Sequence, residues 1–123
     1  MIYVYNSFYL PKSYGISCMY NLIRILNRNG ISAKALCYED ERYDYEIPED
    51  IKPYYISKAA LPKKIEDKDI VIYSDVISDN PLGAKRVIRW LMNKPCFLTG
   101  KKINYGPKDV LVAYSKLVSE RTY

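Results

Sequence analysis

Between Asp69 and Pro95 the hydrophobic pattern changes its period. Ile70, Val71, Ile72 and Tyr73 run on without alternation, as a strand covered on both faces does. A polar stretch at 74–80 follows. Ala84, Val87, Ile88, Leu91 and Met92 then recur at i, i+3, i+4, i+7 and i+8, which predicts an amphipathic helix with Lys85, Arg86 and Arg89 on its outer side. Asn80 suits the cap of that helix through its side-chain acceptor, and Pro81 suits the first helical position, where a missing N–H costs nothing. The unit reads as strand, loop, helix. Its loop is held at the carboxyl end of a buried strand, the edge where ligands bind in open α/β sheets.

The amino-terminal half repeats the theme. Residues 1–5 read as a strand, 6–14 as a polar and aromatic loop, and a helix follows with Ser13 as its cap and Cys18, Met19, Leu22, Ile23 and Leu26 as its buried face. Asn29 and Gly30 supply its stop. Residues 32–38 form a second strand and 39–50 an acidic, exposed excursion. Residues 51–57 form a third strand, placed at an edge by Pro53. Residues 59–68 are expected as a short helix or turn, 96–108 as irregular and 109–114 as a last strand. The order β, α, β, β, β, α, β predicts one α/β domain over residues 1–123, Rossmann-like, with a mostly parallel sheet flanked by helices.

Composition narrows the chemistry. The chain has 123 residues, 49% hydrophobic and 27% charged, without repeats or low-complexity tracts, so it is globular. Fourteen tyrosines against two phenylalanines make Tyr the strand and packing aromatic. There is no histidine, which removes a Ser/His/Asp triad, a Cys/His pair and a His-based metal site. The three cysteines have no metal or redox spacing and read as reduced thiols, so no metal is expected. No stretch approaches the ~20 apolar residues of a membrane span, and a cytoplasmic protein is expected.

The net charge of +5 is uneven. Residues 39–50 hold seven of the 14 acidic side chains and only Arg42 among the basic ones. The remainder, with 18 basic and seven acidic residues, could attract phosphates, nucleic acid or an anionic membrane, and Lys85, Arg86, Arg89, Lys94, Lys101 and Lys102, with Trp90 adjacent, are the best cluster for nucleic acid. A solvated helix face explains the same charges. No nucleic-acid motif accompanies them, and nucleic acid is not an expected partner.

Proton transfer falls to carboxylates. Asp75 and Asp79 in the loop at 74–80 could each accept a hydroxyl proton or hydrogen-bond a sugar, with Ser74, Ser78 and Asn80 in the same ligand-facing loop. Asp79 equally suits a helix start, where a negative charge favours the dipole. In the first loop, Phe8, Tyr9, Lys12, Ser13, Tyr14 and Gly15 could form an aromatic platform for a sugar, or simply pack. A dinucleotide site would need G-x-G-x-x-G after the first strand, with Glu39 or Asp40 as the ribose acid. The loop NSFYLPKSYG has Gly15 alone.

The run IVIYSDVISDNPLGAKRVIRWLMNKP followed by LTGKKINYGPKDVLVAYSKL resembles the amino-terminal half of GT-B glycosyltransferases related to glycosyltransferase family 4, which build surface polysaccharides. The NPL-x-AK-x-V-x-RW-L-x-NKP pattern carries the resemblance, which extends more loosely back to Met1. Where that family tends to have Pro-Glu this chain has Ser74 and Asp75, and where it tends to have Gly this chain has Asp79. The resemblance implies an acceptor-side domain whose loops at 6–15 and 74–80 line a cleft. It implies that this chain binds no cofactor alone, the nucleotide-sugar donor being held by a second domain or subunit. It further implies a carbohydrate or lipid-linked acceptor, with the chain at the inner face of the membrane. The rival expectations are a non-catalytic docking subunit of a split transferase, or an inactive truncated product.

Overall fold

The structure, a computed structural model, describes residues 1–40, 45–91 and 104–113. It divides into two compact units, Met1–Lys63 and Lys64–Tyr123. Every strand pairing given below is parallel, and with its helix and turns the chain is an α/β protein of Rossmann-like type.

In the first unit, β1 (Ile2–Asn6) pairs with β2 (Ala33–Cys37) from Ile2 opposite Ala33 to Asn6 opposite Cys37. β3 (Tyr55–Ile56) joins the other side of β2. Helix α1 (Tyr14–Arg28) connects β1 to β2. It starts where the sequence places it, for the expected reason: Ser13 Oγ accepts from the Ile16 N–H at 3.4 Å. Its stop is also the expected one. Gly30 takes φ 76°, a left-handed conformation that costs glycine nothing, and the Ile31 N–H returns to the Leu26 carbonyl at 2.9 Å. Met19, Tyr20 and Ile23 carry the buried stripe of α1, and Val4, Ala35 and Leu36 are buried in the sheet. Near the end of the acidic excursion Ile47 is buried, as is Ile51 just after it, and Arg24 pairs with Asp50 at 2.6 Å. The third strand is shorter than expected, because Lys52–Tyr54 form a 3-10 turn around Pro53. Of the short helix or turn expected at 59–68, the 3-10 turn Lys58–Ala60 forms.

In the second unit, β4 (Ile70–Ser74), β5 (Arg86–Leu91) and β6 (Val110–Ala113) lie side by side in that order. β5 overturns the second expected helix. Residues 86–91 alternate in burial: Val87, Arg89 and Leu91 are buried, while Ile88 and Trp90 are half-buried on the other face. The same residues satisfy both periods if Arg89 is taken as polar and outward. It is inward, at 0% exposure. Parallel partners on both sides complete the backbone ladder of β5, and Asp109 neutralises Arg89 from the loop before β6. Two elements remote in sequence thus decide what a local period could not. The basic helix face expected of Lys85, Arg86 and Arg89 does not form. Lys94, Lys101, Lys102 and Cys96 lie outside the described residues, as does the tail at 115–123. Among the described residues no helix is long and apolar enough to cross a membrane.

Candidate functional site

The loop at 74–80 leaves the carboxyl end of β4, the edge expected for it, and is built from within. The amide of Asn80, expected to cap a helix, closes a turn instead. Its Oδ1 accepts from the Tyr73 hydroxyl at 2.6 Å and from the Ala84 N–H at 3.1 Å, and its Nδ2 donates to the Ala84 carbonyl at 2.7 Å. The Tyr73 hydroxyl in turn accepts from the Leu82 N–H at 3.0 Å. Tyr73 is fully buried, so this hydroxyl ties the turn to the core.

Arg89 anchors the rest of the loop. Its Nε donates to Asp109 Oδ2 at 2.9 Å, its Nη1 to the Ile77 carbonyl at 2.7 Å and its Nη2 to the Asp79 carbonyl. The guanidinium carbon lies 4.8 Å from the centre of the Tyr73 ring and 5.5 Å from that of Tyr105. A planar cation with fixed donors, held between aromatic faces, suits this position in a way that a lysine ammonium does not. Asp109 Oδ2 also accepts from the Gly106 N–H at 2.8 Å. A β-carbon at this position would stand 2.8 Å from Asp109 Oδ1, so a side chain there would displace the carboxylate that Arg89 holds. Two further bonds join the loop at 74–80 to the one before β6: the Asp79 N–H to the Asn104 carbonyl at 2.9 Å, and the Asn104 N–H to Ser78 Oγ at 2.9 Å.

The candidates of this loop therefore divide. Asn80 spends its amide on structure, and Ser78 has accepted one bond while keeping a hydroxyl proton to donate. Ser74 and Asp75 are half-buried, and Asp79 is exposed. Asp79 has no helix to cap. It is the only non-glycine residue with positive φ, at 63°, among the described residues. That region favours glycine. Asp79→Gly is therefore expected to be neutral or stabilising by up to roughly 1 kcal/mol, and Asp79→Val to cost about 1–2 kcal/mol. Urea midpoints of the two variants check this, and a clear loss of stability in Asp79→Gly would contradict it.

The first loop, at the carboxyl end of β1, is equally well tied. Asn6 Oδ1 accepts from the Ser7 N–H at 2.9 Å, and the Tyr20 hydroxyl donates to the Ser7 carbonyl at 2.6 Å. Phe8 is buried, edge-on to Tyr55 with ring centres 6.3 Å apart, and Tyr9 lies edge-on to Tyr20 at 5.3 Å. Phe8 thus supports the loop from inside and presents no open face. Ser13 is occupied with the helix start, Gly15 is half-buried in its first turn, and Lys12 and Tyr14 reach the surface.

No family model, curated protein or solved structure matches this chain.

What the two loops offer must therefore be read from their own chemistry. Asp75 and Asp79 are the carboxylates of the loop at 74–80, with hydroxyls at Ser74 and Ser78 beside them in the chain. Among the described residues no three His, Cys, Asp or Glu side chains gather as metal ligands. The second loop can hydrogen-bond a polyhydroxylated ligand and take up a proton, with its backbone fixed beforehand. Sequence reasoning missed Arg89, Tyr73 and Asp109, the groups that fix it. The available signal was the Asp109 carboxylate immediately before an apolar strand, a charge that needed a partner.

Proposed function

We propose that this chain is the acceptor-side domain of a nucleotide-sugar-dependent glycosyltransferase of GT-B type, acting in polysaccharide or glycoconjugate synthesis. The observation that carries the reading is the backbone of Asp79. It lies at φ 63°, a conformation that favours glycine, at the position where the resembled glycosyltransferases tend to have Gly. Asn80 and Arg89 belong to the same resembling pattern, and each has a physical task in holding this loop. A pattern whose residues answer to one loop geometry supports kinship better than shared composition does.

In the complete enzyme an acceptor hydroxyl attacks the anomeric carbon of the donor sugar. The new C–O bond forms as the bond to the nucleotide diphosphate breaks, and the diphosphate departs with its electron pair. The hydroxyl proton passes to a base, for which Asp75 is the candidate in this chain. Ser74 and Ser78 would orient the acceptor. Contacts to the diphosphate belong to the donor-binding half.

The test is an enzyme reconstituted with its donor half, assayed with Asp75→Ala and Asp75→Asn. Loss of a proton acceptor is expected to lower kcat by roughly 10²–10⁴-fold. Unchanged turnover in both variants would remove Asp75 from the reaction. Failure of the reconstituted wild type to transfer any sugar, together with a thermal shift of this chain alone by nucleotide sugars, would overturn the acceptor-side assignment.

A further inference from the structure

At the end of the second unit opposite the loop at 74–80, a half-open cavity of about 260 Å³ lies where the three strands begin. Ile70, Arg86 and Val110, the first residues of β4, β5 and β6, line it together with Ile88, Lys85 and Lys108. The register puts Ile88 opposite Val110 and Ile70 opposite Arg86, so these side chains share one face of the sheet. The lining is apolar below and cationic at the rim. Val110 is 56% exposed and Val112, two residues on, 44%. Large apolar side chains in the open, gathered beside a cavity, mark a binding surface more often than singly scattered ones do.

The rim charges are unequally satisfied. Lys85 Nζ lies 2.9 Å from Asp67 Oδ2, which neutralises it. Among the described residues, no ion-pair partner faces Arg86 or Lys108. Two unanswered cations beside an apolar floor match an anion of charge near −2 that also carries a hydrocarbon chain. A phosphate monoester has about that charge at neutral pH, and its oxygens fit an arginine fork. The volume lies just below the range of drug-sized sites, so a head group and one short chain fit, whereas a two-chain lipid does not.

We propose that this cavity binds a monomeric single-chain alkyl phosphate, the phosphate held by Arg86 and Lys108 and the chain lying on Ile70, Ile88 and Val110. The site is independent of the transferase reading, being at the other end of the strands from the candidate acceptor loop. Because the ligand is a single molecule in a bounded cavity, affinity rises with chain length only until the floor is covered.

The experiment is a titration of the whole protein, methyl-labelled at Ile and Val, with butyl, hexyl and octyl phosphate below their critical micelle concentrations. Parallel arms use inorganic phosphate and vesicles of phosphatidylglycerol and phosphatidylcholine. The expected result is saturable one-to-one binding seen at Ile70, Ile88 and Val110, tightening about fourfold per added methylene until the floor is covered. Arg86→Gln with Lys108→Gln is expected to weaken it at least tenfold, and Val110→Asp to a similar degree. Both changes lie at exposed side chains and leave the melting temperature nearly unchanged, so lost binding cannot be confused with lost folding. Inorganic phosphate binding as tightly as octyl phosphate would overturn the proposal, and so would vesicle binding without monomer binding. Octyl phosphate affinity unaffected by these substitutions would overturn it equally.

Discussion

Arg89→Met is expected to destabilise the second unit by about 3–5 kcal/mol, the largest effect of any single change foreseen in this chain. Methionine can fill much of the volume but donates nothing. Asp109, whose side chain is only 10% exposed, would keep its charge beside the Gly106 N–H with its cation gone. The Ile77 and Asp79 carbonyls would lose their donors in the same step. Such a loss takes a fifth or more of the stability of an ordinary domain. Arg89→Lys keeps the charge but cannot reach three acceptors in different directions, so an intermediate loss of about 1–3 kcal/mol is expected. Denaturant unfolding of both variants measures this, and hydrogen exchange at 76–80 shows whether the loop is released before the strands. A cost for Arg89→Met below about 1 kcal/mol would mean that the clamp contributes little beyond its packing.

The protein is also expected to be labile in alkali, and the cause lies in the first unit. Burial in the core, with Cys37 and Tyr55 nearby, pushes the Tyr20 hydroxyl far above the ordinary tyrosine range. Burial, helped by the Glu39 charge, raises Tyr38 to about 12. Tyrosine in an unfolded chain ionises near pH 10. Between those values the native state keeps protons that the unfolded state has released. The stabilisation is therefore complete below about pH 10 and lost as pH rises towards the folded-state values. Tyr20 alone contributes a slope of about 1.4 kcal/mol per pH unit, and Tyr38 adds less because it is only half-buried. Stability should fall by roughly 3 kcal/mol between pH 10 and 12. Urea unfolding across that interval tests the slope, and absorbance at 295 nm tests the cause: the last tyrosines should ionise only as the protein unfolds. Stability that stays flat to pH 11.5 would refute the account.

The two units differ in how far they could be read ahead. Local signals suffice for α1, because Ser13, the buried stripe and Gly30 act within a few residues of one another. β1 and β4 were legible for a similar reason, their apolar runs being too short and too rich in β-branched and aromatic residues for helices, and β2 as the short return after the stop at Asn29 and Gly30. The stretch around Arg89 was not. Its apolar residues fit a helical stripe as well as a strand, and the choice turned on whether one arginine faced water or the core. Arg89 could go inward only because Asp109, 20 residues later, and two carbonyls of the preceding loop meet it there.

The candidate site shows the same division. Asp75, Ser74 and Ser78 were legible as polar groups following a buried strand, since a parallel strand must end at an edge where a loop can take a ligand. The roles of Asn80 and Phe8 were not, because a side chain's hydrogen bonds and burial depend on what packs against it. Local periodicity and composition alone established the α/β class, one capped helix, four of the six strand positions among the described residues to within a residue or two at each end, and the absence of histidine chemistry. That residues 86–91 are a strand and that Arg89 is buried followed from long-range packing alone, because a charge enters the core only where groups distant in sequence converge to neutralise it.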